Sequence, residues 1–298
     1  MNQNWVAIYG RIENVNGVIR HIPMPATPTT NPTTSVPFTL ARSNIDFEGG
    51  TISFQVKIAE PDAQCQINLT GANSSALFAG INSMGAAYGF GIMRNGRGEP
   101  GANAGFGDKP PIEQWLDLRL HVNGSTLELF FNDVKVCTHT EILHKGPVSL
   151  FMQSPNAIEV RHIKIEPMAP NCFVVMQFTE EYNALYQEVI RPTCEAFGYS
   201  VIRADDFYTS GLIIDDITRS IRESALVIAD VTPNNPNVFY EVGYSHGIGK
   251  PTILLSDRKR ERLPFDISGF RTLFYDNTIG GKTAVEQRLK MHLDNIGA

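Results

Sequence analysis

The chain has 298 residues, 42% of them hydrophobic, and a formal net charge of −6. That length suits two cores better than one. No long basic block is present to neutralise a phosphate backbone, which excludes a nucleic-acid duplex or strand as partner but leaves small anionic ligands open. No stretch approaches the roughly twenty apolar residues that span a bilayer, and residues 1–5 lack the basic start and apolar run of a secretory signal. The expectation is a cytoplasmic protein with no membrane association. Cys65, Cys137, Cys172 and Cys194 stand apart, with no C-x-x-C spacing and no nearby His to complete a zinc site, and are expected to be buried thiols with no metal.

Through residue 166 short alternating runs are broken by Gly, Asn and Pro, with almost no helical period. This is an all-β pattern. A Pro- and Thr-rich connector occupies 23–37, and strands are expected at 51–58, 117–122 and 126–131. Asn123 and Gly124 join the last two as a hairpin, since both residues tolerate positive φ. The Gly-rich run 96–107 reads as a loop, and 148–152 and 158–165 supply two closing strands. Leu118, Leu120, Val122, Leu127, Leu129, Ile163 and Ile165 are then core positions.

The runs W-L-D-L-R-L-H-V-N-G (115–124), L-E-L-F-F-N-D-V-K-V (127–136), G-P-V-S-L (146–150) and V-R-H-I-K-I (160–165) resemble the concanavalin-like jelly-roll sandwich of lectins and laminin G-like modules, over roughly 47–166. The resemblance implies an antiparallel β-sandwich acting as a sensor or binding module, with carbohydrate or protein as its ligand. Trp115 and Tyr88 read first as core and second as a sugar platform.

Residues 167–170 form a linker flanked by proline, and beyond it the period changes. Apolar strands at 172–176, 199–203, 226–230, 252–255 and 271–275 alternate with helical stretches at 180–196, 212–224, 237–248 and 284–293. Such alternation requires right-handed crossovers and a parallel five-stranded sheet covered on both faces, with ligands beyond the carboxyl ends of the strands. The division is therefore 1–166, linker, and 171–298.

Residues just past strand ends are the candidates. Phe178 and Tyr208 could stack on a base. Asp205 and Asp206 could meet a metal or ribose hydroxyls, with a solvated pair as the bland alternative. Asp230 could touch ligand or only cap its turn. Thr179, Ser210 and Gly211 stand where a helix N-terminus could take a phosphate. In the helix after the third strand, Glu241 is an acid among apolar residues, and Tyr244 and Ser245, three and four residues on, could orient it. Its bland alternative is an ion pair with Arg203 or Arg271. The basic cluster 258–262 reads as a solvated loop.

The segments F-V-V-M-Q-F, E-V-I-R-P, G-Y-S-V-I-R-A-D-D and A-L-V-I-A-D-V-T-P-N-N-P-N-V-F-Y-E-V-G-Y-S-H-G-I-G-K-P resemble the nucleoside 2-deoxyribosyltransferase superfamily and the TIR-like domains of the same flavodoxin-like topology. The resemblance covers nearly all of the second half. It implies that Glu241 is the catalytic carboxylate at ribosyl C1′, that Asp215 or Asp216 contacts sugar or base, and that a homo-oligomer completes the site. Gln177 departs from a Pro in many members. Asn235 and Asn237 stand where transferases carry an acid that protonates the leaving base, and Asn237 is retained as a substrate contact. The departures favour a substrate whose base already leaves well, such as NAD, with no separate cofactor. Two alternatives stay open: a nucleotide-sensing module without turnover, and deoxyribosyl transfer.

Overall fold

The computed structural model describes residues 3–23, 36–204, 212–260 and 262–296. They fall into two compact units, Met1–Met168 and Ala169–Ala298.

The first unit holds β1 (Trp5–Tyr9), β2 (Ile12–Val15), β3 (Val18–His21), β4 (Phe38–Phe47), β5 (Gly50–Ile58), β6 (Gln64–Thr70), β7 (Ala76–Ser83), β8 (Ala86–Arg94), β9 (Arg97–Phe106), β10 (Leu116–Asn123), β11 (Thr126–Phe131), β12 (Val134–Thr140), β13 (Gly146–Gln153) and β14 (Ile158–Pro167). They make two seven-stranded antiparallel sheets, β1-β4-β13-β6-β7-β8-β9 and β12-β11-β10-β5-β14-β3-β2. Alternation in β5 and β10 sends Ile52, Phe54, Val56, Leu118, Leu120 and Val122 inward to one shared core, with Ile163 and Ile165 at its margin. The hairpin pairs Asn123 with Thr126, and Gly124 takes φ +57°.

The Gly-rich run at 96–107 is a strand, not a loop: β9 is an edge of the first sheet. Its glycines serve close approach, since a Cβ on Gly101 would stand 2.8 Å from the Phe90 Cβ. Cys137 is half-buried on edge strand β12, whereas Cys65, Cys172 and Cys194 are buried, and all four are free thiols.

The second unit holds β15 (Asn171–Val175), β16 (Ser200–Arg203), β17 (Leu226–Asp230), β18 (Thr252–Asp257) and β19 (Thr272–Tyr275), all parallel and in the order β16-β15-β17-β18-β19. Successive residues of β15 serve opposite faces. Cys172 and Val174 pack with Leu185, Tyr186, Val189 and Leu289 on one side, while Phe173 and Val175 pack with Ile217, Ile221, Val238 and Val242 on the other. The chain leaves β15 toward one edge and returns to β17 on its other flank, so the switch point lies between the carboxyl ends of these two strands.

Two helical stretches differ from expectation. The stretch 180–196 is α1 (Glu180–Leu185), a π-helical turn (Tyr186–Ile190) and α2 (Arg191–Ala196). Pro192 is the cause: it has no N–H to return to the carbonyl four residues back, so the spiral widens just before it. After α3 (Ile213–Glu223) and α4 (Pro236–Gly247), the last helix, α5 (Ile279–Ile296), begins before the expected start at 284. The Thr278 hydroxyl accepts from the Gly281 N–H (3.0 Å), capping the first turn through two glycines. Buried Lys250 closes α3 by donating its Nζ to the carbonyls of Arg222 (3.0 Å) and Ser224.

Candidate functional site

At the switch point lies a cavity of about 960 Å³. Gln177, Phe178 and Thr179 line it beyond β15, and Ala204 beyond β16. Ile213, Ile214 and Ile217 enter from α3, and Asn235, Asn237, Val238, Tyr240 and Glu241 from the start of α4. The first turns of two helices thus face it; the dipole of α4 favours an anion there, whereas Asp215 and Asp216 in the first turn of α3 oppose one. The lining is mainly apolar with a few polar groups, as in pockets that orient small ligands. Among the described lining residues there is no Lys, Arg or His.

Local sequence sets Glu241 in place. The Asn235 side chain accepts from the Asn237 N–H (3.0 Å) and Pro236 occupies the first turn, an N-cap pattern that starts α4 at the strand end. Val238 and Val242 then anchor the helix on the sheet and leave Glu241 at the cavity wall, 8% exposed. Its carboxylate makes no ion pair or hydrogen bond with a described residue, and burial alone pushes its pKa up to about 7. The alternative pairing with Arg203 is not formed. Arg203 Nη1 donates to Asn183 Oδ1 (2.8 Å), and its guanidinium lies 4.2 Å from the Tyr186 ring centroid and 5.2 Å from that of Phe178.

The other candidates divide. Phe178, Thr179 and Asn237 line the cavity with Glu241. Thr179 is the N-cap residue of α1, its carbonyl accepting from the Asn183 N–H (2.8 Å) while its hydroxyl makes no capping bond. Tyr244 and Ser245 do not orient Glu241. Ser245 is buried toward the sheet, its hydroxyl 2.5 Å from that of Thr252, and Tyr244 packs with the apolar cluster under α4. For Ser245 the reason is angular: at about 100° per residue it lies on the side of Glu241 that carries Val238 and Val242, and so faces the sheet. Asp215 and Asp216 are not at the cavity wall either. Asp216 is buried against Arg219, and α3 presents its isoleucines instead.

Asp230 is 1% exposed and accepts from the Tyr275 hydroxyl (2.6 Å) and the Thr232 N–H (2.8 Å). It fixes the turn after β17 and does not line the cavity; burial raises its pKa and the two donors oppose that rise. Arg260, from the cluster read as solvated, donates to the carbonyls of Val231 (2.7 Å) and Thr232 (2.6 Å) in that turn. Asp205, Asp206, Tyr208, Ser210 and Gly211 lie outside the described residues.

No protein-family model matches the chain, and no curated protein matches it. Among solved structures, several are distantly similar to about half of this chain. A carbohydrate-binding module from Bacillus subtilis aligns with 11% identity and a TM-score of 0.43, covering 53% of this chain and 92% of that one. A structure described as a native glycosidic hydrolase aligns with 12% identity and a TM-score of 0.42, covering 55% and 90%. A galectin from Caenorhabditis elegans aligns with 14% identity and a TM-score of 0.31, covering 45% and 94%. These likenesses are too distant to assign a ligand or an activity, and the fold rests on the sheet topology given above.

On the sandwich, Trp115 is half-buried, with the Arg161 guanidinium 3.8 Å and the Lys57 Nζ 5.4 Å from its ring centroid. Tyr88 packs on Phe131 with ring centroids 4.3 Å apart. Neither ring is a bare platform. A polar groove of about 230 Å³ runs nearby, lined by Ser53, Gln55, Asp117, Arg119, Lys164 and His162 among others. His162 takes φ +53° where β14 carries a bulge between Arg161 and Lys164. Among the described residues no group of three or more His, Cys, Asp or Glu side chains could hold a metal, and no helix is long and apolar enough to cross a membrane.

Proposed function

We propose that the C-terminal unit cleaves an N-glycosidic bond in NAD or another nucleotide, with Glu241 as the carboxylate at the reacting carbon. The observation that carries this reading is a buried carboxylate without a counter-ion in the wall of a largely apolar cavity at the switch point. A buried carboxylate is costly unless paired or used, and here nothing in the described protein pairs it. The sequence resemblance of 225–251 to the deoxyribosyltransferase and TIR-like families points to the same residue.

The chemistry follows from the charge. As the C1′–N bond breaks, its electron pair leaves with the nitrogen and C1′ becomes oxocarbenium-like. Ionised Glu241 stabilises that cation or bonds to it, and water then supplies the oxygen that ends on C1′. No second acid lines the cavity among the described residues, the amides of Asn235 and Asn237 standing there instead. The leaving base must therefore depart unprotonated, which suits a pyridinium whose positive charge the electron pair cancels. A phosphate is assigned to Thr179 and to Ser210 and Gly211 ahead of α3, as the sequence suggests, since the first turn of α3 itself carries Asp215 and Asp216. The same lack of a second acid favours, as a second reading, a nucleotide sensor without turnover; deoxyribosyl transfer replaces water with an acceptor base. The β-sandwich is assigned a sensing or recruiting role, with carbohydrate or protein bound at the polar groove beside Trp115, and by resemblance the chain works as a homo-oligomer.

Purified full-length chain is incubated with NAD and with nucleoside monophosphates, and base release is followed by chromatography. Release by the wild type and its loss in Glu241→Gln is the expected result. Equal release by both removes the role given to Glu241, and saturable binding without release moves the account to the sensor.

A further inference from the structure

The Phe178 ring is unusual in its backing. It is 50% exposed and lines the cavity, yet Arg203, which is 5% exposed, sits over it at 5.2 Å and over Tyr186 at 4.2 Å. Tyr186 opens the π-helical turn and is itself buried. The Arg203 guanidinium therefore touches both rings, with Asn183 Oδ1 accepting from it (2.8 Å) and fixing its place. Since Arg203 is covered, the exposed part of Phe178 is not the part facing Arg203, and the ring is free to receive a planar group from the cavity side.

Charge then selects what stacks there. A guanidinium on one face draws on the ring's electron density and repels a second cation on the opposite face, so Phe178 suits an uncharged heteroaromatic ring better than a pyridinium. Glu241 has the reverse preference. A cavity of about 960 Å³ is at the upper end of the roughly 300–1,000 Å³ that holds drug-sized ligands, which gives room for two rings.

We infer that Phe178, positioned by Arg203 and Tyr186, is the shelf for a second and neutral base, so that the cavity takes a dinucleotide with one cationic and one neutral ring in preference to a mononucleotide. The inference rests on the nucleotide reading above and deepens it. Phe178 is a binding residue in this scheme and Arg203 a positioning residue.

The test separates binding from turnover. In a Glu241→Gln background, titration calorimetry measures NAD and nicotinamide mononucleotide, which differ by the adenosine monophosphate half. NAD is expected to bind about tenfold tighter or better, and adding Phe178→Ala to reduce that advantage about tenfold, the order of one lost base–aromatic stack, while changing mononucleotide binding less than about twofold. Arg203→Lys, which keeps the charge but not the planar guanidinium, is expected to give part of the same loss; circular dichroism reports whether the variants fold. Equal affinity for the two ligands, equal weakening of both by Phe178→Ala, or binding of neither overturns the shelf. Base release by the wild type, measured separately, decides the proposed reaction, so a bound but uncleaved NAD sinks that reading and leaves the shelf standing.

Discussion

Replacing Glu241 by Gln should make the protein more stable, and only above mildly acidic pH. Burial raises the carboxyl from its ordinary value of 4.5 to about 7 in the folded chain. Below about pH 4.5 the group is protonated in both folded and unfolded states and its charge costs nothing. Between 4.5 and 7 the unfolded chain ionises first, so folding loses stability as pH rises; above about 7 the full difference applies. At 1.36 kcal/mol per pKa unit this is about 3 kcal/mol, an upper figure given the opening to solvent. Urea unfolding of wild type and Glu241→Gln between pH 4 and 8.5, with a spectroscopic probe of the second unit, measures it. The variant should gain up to about 3 kcal/mol at pH 8.5 and almost nothing at pH 4. A pH-independent difference, or a less stable variant at pH 8.5, would refute the uncompensated carboxylate.

Other consequences follow from the same geometry. If Glu241 acts as the anion, kcat/KM for NAD should rise with pH through about 7 and then level, because that ratio reports the free enzyme; a fall over the same range assigns a proton-donating role instead. Tyr275→Phe leaves buried Asp230 with one donor fewer and should cost about 1–3 kcal/mol in urea unfolding at neutral pH. An unchanged midpoint would mean that Asp230 does not need the phenol. Gly101→Ala forces a Cβ against Phe90 and should destabilise the sandwich by about 1–3 kcal/mol, read as a lower midpoint of its own transition; an unshifted midpoint would show that β9 simply moves aside.

Much of this was legible wherever burial is one-sided or complete. The alternation of β5 and β10 and the apolar runs of β15, β17 and β18 leave little choice of element, and the strand-end rule draws attention to Gln177, Phe178 and the turn before Glu241. The strands β7 and β8 were hidden because small residues such as Ala79, Gly80, Gly89 and Gly91 break the period while still pairing. In β9 glycine looks like turn chemistry but serves close packing. Side-chain direction was the larger gap at the site. Tyr244, Ser245, Asp215 and Asp216 sit at plausible spacings, yet which side of a helix meets the sheet is decided by Val238, Val242, Ile217 and Ile221 together. Pro192 announces the distortion in the helix that carries Tyr186. Its partner from β16 depends on tertiary packing that no local pattern encodes.

A crystal structure of the Glu241→Gln protein with NAD bound tests the central claim most directly. The ribosyl C1′ beside the nicotinamide should lie within about 3.5 Å of the residue-241 side chain, the distance of a near-attack arrangement. NAD seated outside the cavity, or bound there with no sugar carbon near that side chain, would contradict it.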